Sequence, residues 1–347
     1  MKPVRFRKQG SAFFNDRRLV TCYQLYDGVN YLYIACKRTT FGSRCQYRKS
    51  GDSFITSTMY DTGYDKTTDS FLAKSHSFYD TGYGENYRTA VDGDGNVYIA
   101  GSQYDNCSVW KVDSSGTLVW SYYTGASTQG IAVDGYGNVY VAGTHADGKS
   151  VWKLDSSGDL VWDYNTGTIT YGIAVDGSGN VYVAGGHTGS PSVNVWKLNS
   201  SGSLVWSIST GGTIAYSITV DGSGNVYVAG SNNLDIANVW KFNSSGTLVW
   251  DYLTGQSAFD VAVDGSGNVY VAGERYDSKS IWKLDSSGDL VWDYDTGNHT
   301  RGIKVDGSGN VYATGVSSGG KSVWKLDSSG DLVWDYSLGT GYGLSIL

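Results

Sequence analysis

Beyond about residue 87 the chain alternates short runs of Val, Ile, Leu, Tyr and Trp with tight clusters of Gly, Asp, Asn and Ser. Residues 170–210 carry the pattern once through. Tyr171-Gly-Ile-Ala-Val175 reads as a strand, and Asp176-Gly-Ser-Gly-Asn180 as a turn whose glycines can take positive φ. Val181-Tyr-Val-Ala184 is a second strand and, after a loop, Val195-Trp-Lys-Leu198 a third. Asn199-Ser-Ser-Gly202 turns the chain into a fourth, Leu204-Val-Trp-Ser-Ile208. β-Branched and aromatic residues favour strands, and the Gly turns interrupt every helical window. The unit is therefore four short antiparallel strands.

The unit repeats. Val-Asp-Gly-x-Gly-Asn-Val-Tyr recurs with its Asp at 92, 134, 176, 221, 264 and 306, in steps of 42, 42, 45, 43 and 42. That period and strand content fit the blades of a β-propeller. A further copy is hidden. Laying Asp27 on Asp92 without gaps sets Tyr33-Ile-Ala35 on Tyr98-Ile-Ala100, Ser50-Gly51 on Ser115-Gly116, Cys45 on Trp110 and Ile55 on Trp120. The expected fold is an all-β, seven-bladed β-propeller of four-stranded antiparallel blades. Its parts are a basic extension (1–19), a diverged blade (20–63), an inserted loop (64–86) and six clear repeats (87–340). The end, Tyr342-Gly-Leu-Ser-Ile-Leu347, matches a first strand and is expected to close the ring against strands within 31–60.

Length variation separates two faces. Turn Asp to the Gly after the second strand is always 9 residues, and first Trp to second Trp always 10. The connection from that Gly to the first Trp varies as 9, 9, 11, 10, 9 and 9, and the outer-to-inner connection also varies. In an antiparallel blade these two loops leave on the same side, opposite the invariant Asp turns. One face is a repeated scaffold and the other is individually shaped. On the shaped face the candidate ligand contacts are Tyr104, His145, His187, Arg275, Tyr276, His299 and Arg301, since aromatics and Arg are the usual interface anchors.

Val-Asp-Gly-Ser-Gly-Asn-Val-Tyr-Val-Ala-Gly (263–273) resembles the short bacterial β-propeller repeats called SBBP, and Leu-Asp-Ser-Ser-Gly-Asp-Leu-Val-Trp-Asp-Tyr (154–164) is similar to the tryptophan-docking repeat of pyrroloquinoline-quinone-type propellers. The resemblance covers about residues 20–347 and implies a propeller; it implies no single activity, because propellers host many functions. The chain departs from quinoprotein dehydrogenases in lacking a vicinal Cys pair, in a count of seven rather than eight, and in a docking turn one residue short. It departs from sialidase-type Asp boxes in the seven residues between Asp155 and Trp162.

The repeated residues read as architecture. All 12 Trp occupy the two repeated positions, and an aromatic present in every blade points to packing between blades rather than to one ligand site. Asp92-Gly-Asp94-Gly-Asn96 has oxygens at alternate positions, but an EF-hand needs Gly sixth and Glu twelfth, where Val97 and Gln103 stand. Turn chemistry is the expectation there, and neither a metal nor another cofactor is expected. Cys36 and Cys45 flank one hairpin and can bridge under oxidising conditions, although reduced thiols are expected. Lys304 stands where other first strands have Ala90, Ala132, Ala174, Thr219 and Ala262. Its ammonium is expected in the water of a central channel.

Composition and charge add a partner class. The 347 residues include 48 Gly without a three-residue period, which excludes collagen, and enough aromatic residues (14%) to argue against disorder. No apolar run is long enough to span a membrane as a helix. The basic start has no apolar stretch behind it, so cytoplasmic synthesis without a secretory signal is expected. Residues 1–50 hold 11 Lys/Arg against 2 Asp, hence +9; the rest holds 15 basic and 31 acidic residues, hence −16, for a total of −7. An acidic body disfavours nucleic acid. The basic end, with its phenylalanines, suits docking to a protein partner or self-assembly through Arg5, Phe6, Arg7, Lys8, Phe13, Phe14, Arg17 and Arg18.

Two classes of function follow. The first is a non-enzymatic recognition or assembly protein, such as a virion tail or capsid component or a surface adhesion module, with a glycan-binding lectin as a special case. The second is a propeller enzyme of quinoprotein or glycosidase type.

Overall fold

The computed structural model describes residues 5–8, 21–26, 31–36, 47–50, 53–56, 86–104, 107–146, 148–188, 193–212, 214–231, 238–318, 321–337 and 341–346. Every element among them is a β-strand, arranged as the four-stranded sheets of a β-propeller. Phe13, Phe14, Arg17, Arg18, Cys45 and the insertion before Asn86 lie outside the described residues.

The six clear repeats form six four-stranded units. In the second, Thr128–Val133, Val139–Ala146, Lys149–Leu154 and Leu160–Tyr164 pair antiparallel in chain order. The third and fourth units join into one eight-stranded sheet through a single pairing, Gly186 with Ile214. The two ends of the chain share a sheet. Its order is Arg5–Lys8, Thr21–Tyr26, Tyr31–Cys36, Gly341–Ile346, with Ile34 opposite Leu344. Tyr47–Ser50 and Ser53–Thr56, the stretches matched in sequence to third and fourth strands, pair with each other as a two-stranded sheet. The first strand of each repeat is innermost. Each packs on the next, and Gly341–Ile346 packs on both Thr300–Val305 and Asn86–Val91, so the inner strands form a closed circuit.

The core lies between sheets. Trp152 of the second unit is buried with Ile131, Val139, Val141 and Leu154 against Tyr98, Ala100 and Val109 of the first. The same cluster recurs from the second unit to the third around Trp196 and Tyr140. The outer Trp docks onto the next unit. Trp120, Trp162, Trp206, Trp250 and Trp292 donate their indole N–H to the carbonyls of Ser156, Ser200, Ser244, Ser286 and Ser328. The ring of Trp162 lies over Gly202, where a Cβ would stand 2.8 Å from the indole and φ is +83°. Gly is thus required at this turn for both space and backbone angle. The expectation that both Trp positions pack between blades holds at these contacts.

Each inner strand also carries a bulge that alternation alone does not reveal. Thr128 pairs with Gly143 and Gly130 with Ala142, so Gln129 has no partner in the ladder. The residue skipped in the other units is Tyr87, Tyr171, Tyr216, Phe259 or Arg301. A bulge re-aims the extra side chain. Here it does so at the end of the inner strand that adjoins the length-variable loops.

Candidate functional site

On the invariant face the polar groups of the repeat are occupied within the molecule. Asp134 Oδ1 accepts the N–H groups of Tyr136 and Asn138, and Oδ2 accepts the Asn138 amide and the Tyr140 hydroxyl at 2.8 and 3.0 Å. Asp92, Asp176, Asp221 and Asp264 repeat the arrangement. Burial pushes these carboxyls up, but the hydrogen bonds outweigh it and hold them below the ordinary aspartate value. Asp92, the nearest approach to a calcium loop in sequence, takes the same four donors. Among the described residues no three His, Cys, Asp or Glu side chains converge as metal ligands.

The shaped face is different. Arg275 and His299 come together where the loops of the fifth and sixth units meet, while the Tyr276 side chain lies against Gly255, in the loop between the fourth and fifth units. The Arg275 guanidinium holds Asp295 through two hydrogen bonds, Nε to Oδ1 at 2.8 Å and Nη2 to Oδ2 at 2.7 Å. Hydrogen bonding to Arg275 keeps the Asp295 carboxyl below its usual range. The Arg275 backbone N–H donates to His299 Nδ1 at 2.9 Å, which leaves Nε2 facing Glu274 Oε1 at 4.0 Å. With Nδ1 accepting, the neutral ring carries its proton on Nε2. Tyr276 is 54% exposed and opens a tight turn in which Asp277 and Ser278 take positive φ, 49° and 58°.

Arg301 lies beside this group but engages the bulge residues. Its guanidinium stands 4.7 Å from the Phe259 ring centre; Phe259 follows Tyr216 at 5.8 Å, and Tyr216 follows Tyr171 at 5.9 Å. The result is an arc of half-buried aromatics ending in a cation. Sequence reading selected Arg301 and missed Tyr171, Tyr216 and Phe259, because a strand that begins Tyr-Gly or Phe-Asp gives no sign of the skipped register. Tyr104, His145 and His187 stand in second strands at the same face, and their side chains are outside those described. Of the amino-terminal candidates, Arg5, Phe6, Arg7 and Lys8 form the strand paired with Thr21–Tyr26.

Inside the circuit of inner strands is a cavity of about 400 Å³, lined among others by Arg88, Tyr171, Ser217, Asp260 and Lys304. Lys304 enters it as expected. Asp260, which is 2% exposed, was not legible as a site residue.

A family model described as outer membrane protein assembly factor BamB matches residues 137–276, under half of the chain. No curated protein matches the sequence. Among solved structures, a protein of unknown function from Bacteroides caccae is 18% identical with a TM-score of 0.53, covering 73% of this chain and 98% of its own. The RRP9 WD40 repeats are 13% identical with a TM-score of 0.62, covering 77% and 85%. A streptogramin B lyase is 16% identical with a TM-score of 0.59, covering 75% and 86%. At these identities the structural likenesses speak to fold alone. Together with the repeats they establish a propeller repeat chain.

Proposed function

We infer that this β-propeller repeat protein is a seven-bladed ring that works by non-enzymatic recognition, holding its partner on the length-variable face. Six repeat units, the sheet shared by the two chain ends and the closed circuit of inner strands support the blade count. One observation carries the functional reading: repeated polar groups are bonded inside the scaffold, whereas unrepeated ones gather on the opposite face. Arg275, Tyr276, His299 and Arg301 fall in one sector there, beside the Tyr171–Tyr216–Phe259 arc. Arg and aromatics in partly desolvated positions are the residue types that dominate interface energies. The basic amino-terminal extension, residues 1–19, docks the ring into a larger assembly in this reading, since its six Lys/Arg against one Asp give it a charge of +5 that suits an acidic partner.

A glycan is the second reading, favoured by the aromatic arc, because sugar rings stack on such faces. Labelled full-length protein applied to a glycan array and to intact cells tests both. A saturable signal is expected, lost in R275A/Y276A/R301A while the melting temperature stays within about 3 °C. A signal that survives the triple variant, or no saturable signal on either support, contradicts the proposal.

A further inference from the structure

The central cavity holds charges that recognition by loops does not use. Directly after the bulged residue of the inner strands stand Arg88, Gly130, Gly172, Ser217, Asp260 and Gly302. Glycine is explained at two of its three places: a Cβ on Gly130 would lie 2.7 Å from the Tyr171 carbonyl, and one on Gly172 3.0 Å from that of Tyr216. Three units break this rule, and their side chains converge. Ser217 Oγ donates to Asp260 Oδ1 at 2.5 Å, and the Ile303 N–H to Oδ2 at 3.0 Å. Arg88 Nη1 and Lys304 Nζ lie 3.3 and 3.7 Å from the same Oδ2. Lys304 also donates to the Ile303 carbonyl at 3.1 Å.

One carboxylate oxygen therefore serves two cations and an amide. Burial works to raise the Asp260 pKa, and Lys304, Arg88 and the two hydrogen bonds outweigh it, so Asp260 stays ionised. The charged residues among those lining the cavity are Arg88, Lys304 and Asp260, which leaves one positive charge in excess. Arg88 and Lys304 remain partly exposed, 23% and 37%, while Asp260 is 2%. The cations can thus meet a visitor and the carboxylate cannot. A cleft of one sign with low-dielectric walls concentrates counter-charge. Its volume, about 400 Å³, falls in the range of small-molecule sites.

We propose that the central cavity binds a small monocarboxylate, its anionic group paired with Arg88 and Lys304 on the side away from Asp260. The planar guanidinium of Arg88 suits a planar carboxylate. One excess charge suits a monoanion; a phosphate dianion would carry uncompensated charge toward Asp260. Ala132, Ala174 and Ala262, at the position of Lys304 in other units, leave an apolar wall for the body of the molecule. This site rests on Arg88, Lys304 and Asp260, none of which the loop-face reading uses, although Tyr171 both lines the cavity and begins the aromatic arc.

Isothermal titration of the full chain with sodium benzoate, with benzamide as the uncharged isostere and inorganic phosphate as the dianion, tests it. Saturable benzoate binding is expected, with no benzamide binding and phosphate weaker than benzoate. Lys304→Ala installs the residue that Ala90, Ala132, Ala174 and Ala262 already supply, and should weaken benzoate about tenfold or more, as loss of a charge-assisted hydrogen bond does. Asp260→Ser, copying Ser217, should tighten both anions and narrow the gap between them. Unsaturable benzoate heats, equal binding of benzamide, a preference for phosphate in the unaltered chain, or unchanged affinity in K304A would each overturn the proposal. Should K304A fail to fold, the benzoate–benzamide comparison on the unaltered chain still decides.

Discussion

Asp134 shows how much of the scaffold one side chain holds. It takes four donors, one of them the hydroxyl of the fully buried Tyr140. Asp134→Ala strands that hydroxyl and opens the turn, and a loss of about 2 kcal/mol in urea denaturation is expected. The same contacts set the pH limits. The folded pKa of Asp92, Asp134, Asp176, Asp221 and Asp264 lies below 3.8. Their contribution is complete above pH 3.8 and is lost as pH falls through the lower, folded values. The partner phenols move the other way: burial, with hydrogen bonding and charge from the turn Asp, raises Tyr98, Tyr140, Tyr182, Tyr227 and Tyr270 above 10.0. That contribution is complete below pH 10.0 and is lost as pH climbs through the raised values. Tyrosinate absorbance should therefore appear for the exposed phenols first and for these five only on alkaline unfolding; smooth titration of all phenols near pH 10.0 would refute it. The turn residues were legible because Asp and Asn in such clusters bond their own backbone. Asp260 was not, because a single Asp in a strand has no spacing signature and its partners come from three other units.

At the scale of the element, the docked Trp and the bulge mark what the pattern of apolar positions reveals and what it hides. Two Trp ten residues apart in every unit point to packing between sheets, and the indoles of Trp120 and Trp162 do bond the next unit. Gly202→Ala would press a methyl to within 2.8 Å of the Trp162 indole and force a side chain into positive φ, so a loss of about 3 kcal/mol is expected in denaturant titration. The Tyr276 turn makes the opposite case. Asp277 and Ser278 both hold positive φ, whereas the second unit carries Asp147-Gly148 at the matching place. Ser278→Gly relieves the positive φ and also removes the hydroxyl that accepts from Arg275 Nη2 at 3.2 Å, so a net gain of about 0.5 kcal/mol is expected, read as a rise in the denaturation midpoint; a fall would show that the strain is smaller than the lost bond. Bulges leave no such trace. The inner strands keep their alternation on both sides of the skipped residue, so the aromatic arc emerges only from the register.

For the whole molecule, the step lengths separated a constant face from a shaped one because four-stranded blades put alternate loops on opposite sides. The chain's end was legible as an extra first strand, and it pairs with Tyr31–Cys36. Removing residues 342–347 should lower the melting temperature by about 5 °C or more, since the inner strands at the seam lose a neighbour and expose a strand edge. Replacing Arg5, Arg7, Lys8, Arg17 and Arg18 with Gln tests docking separately, because it removes the charge and keeps the Arg5–Lys8 strand paired with Thr21–Tyr26: the propeller should stay folded but lose its assembly, and salt should weaken the intact contact, because exposed charges are screened within about 10 Å at about 0.1 M. A charge-neutralised chain that assembles normally would contradict the docking role. The division of labour between the faces is the central claim, and photocrosslinking addresses it directly. A benzophenone amino acid is placed at Tyr276 on the shaped face or at Tyr136, 87% exposed in an invariant turn, and the full chain is irradiated in its native surroundings. A discrete adduct at position 276 and none at 136 is expected; adducts at 136 alone, or at neither position, would contradict the account.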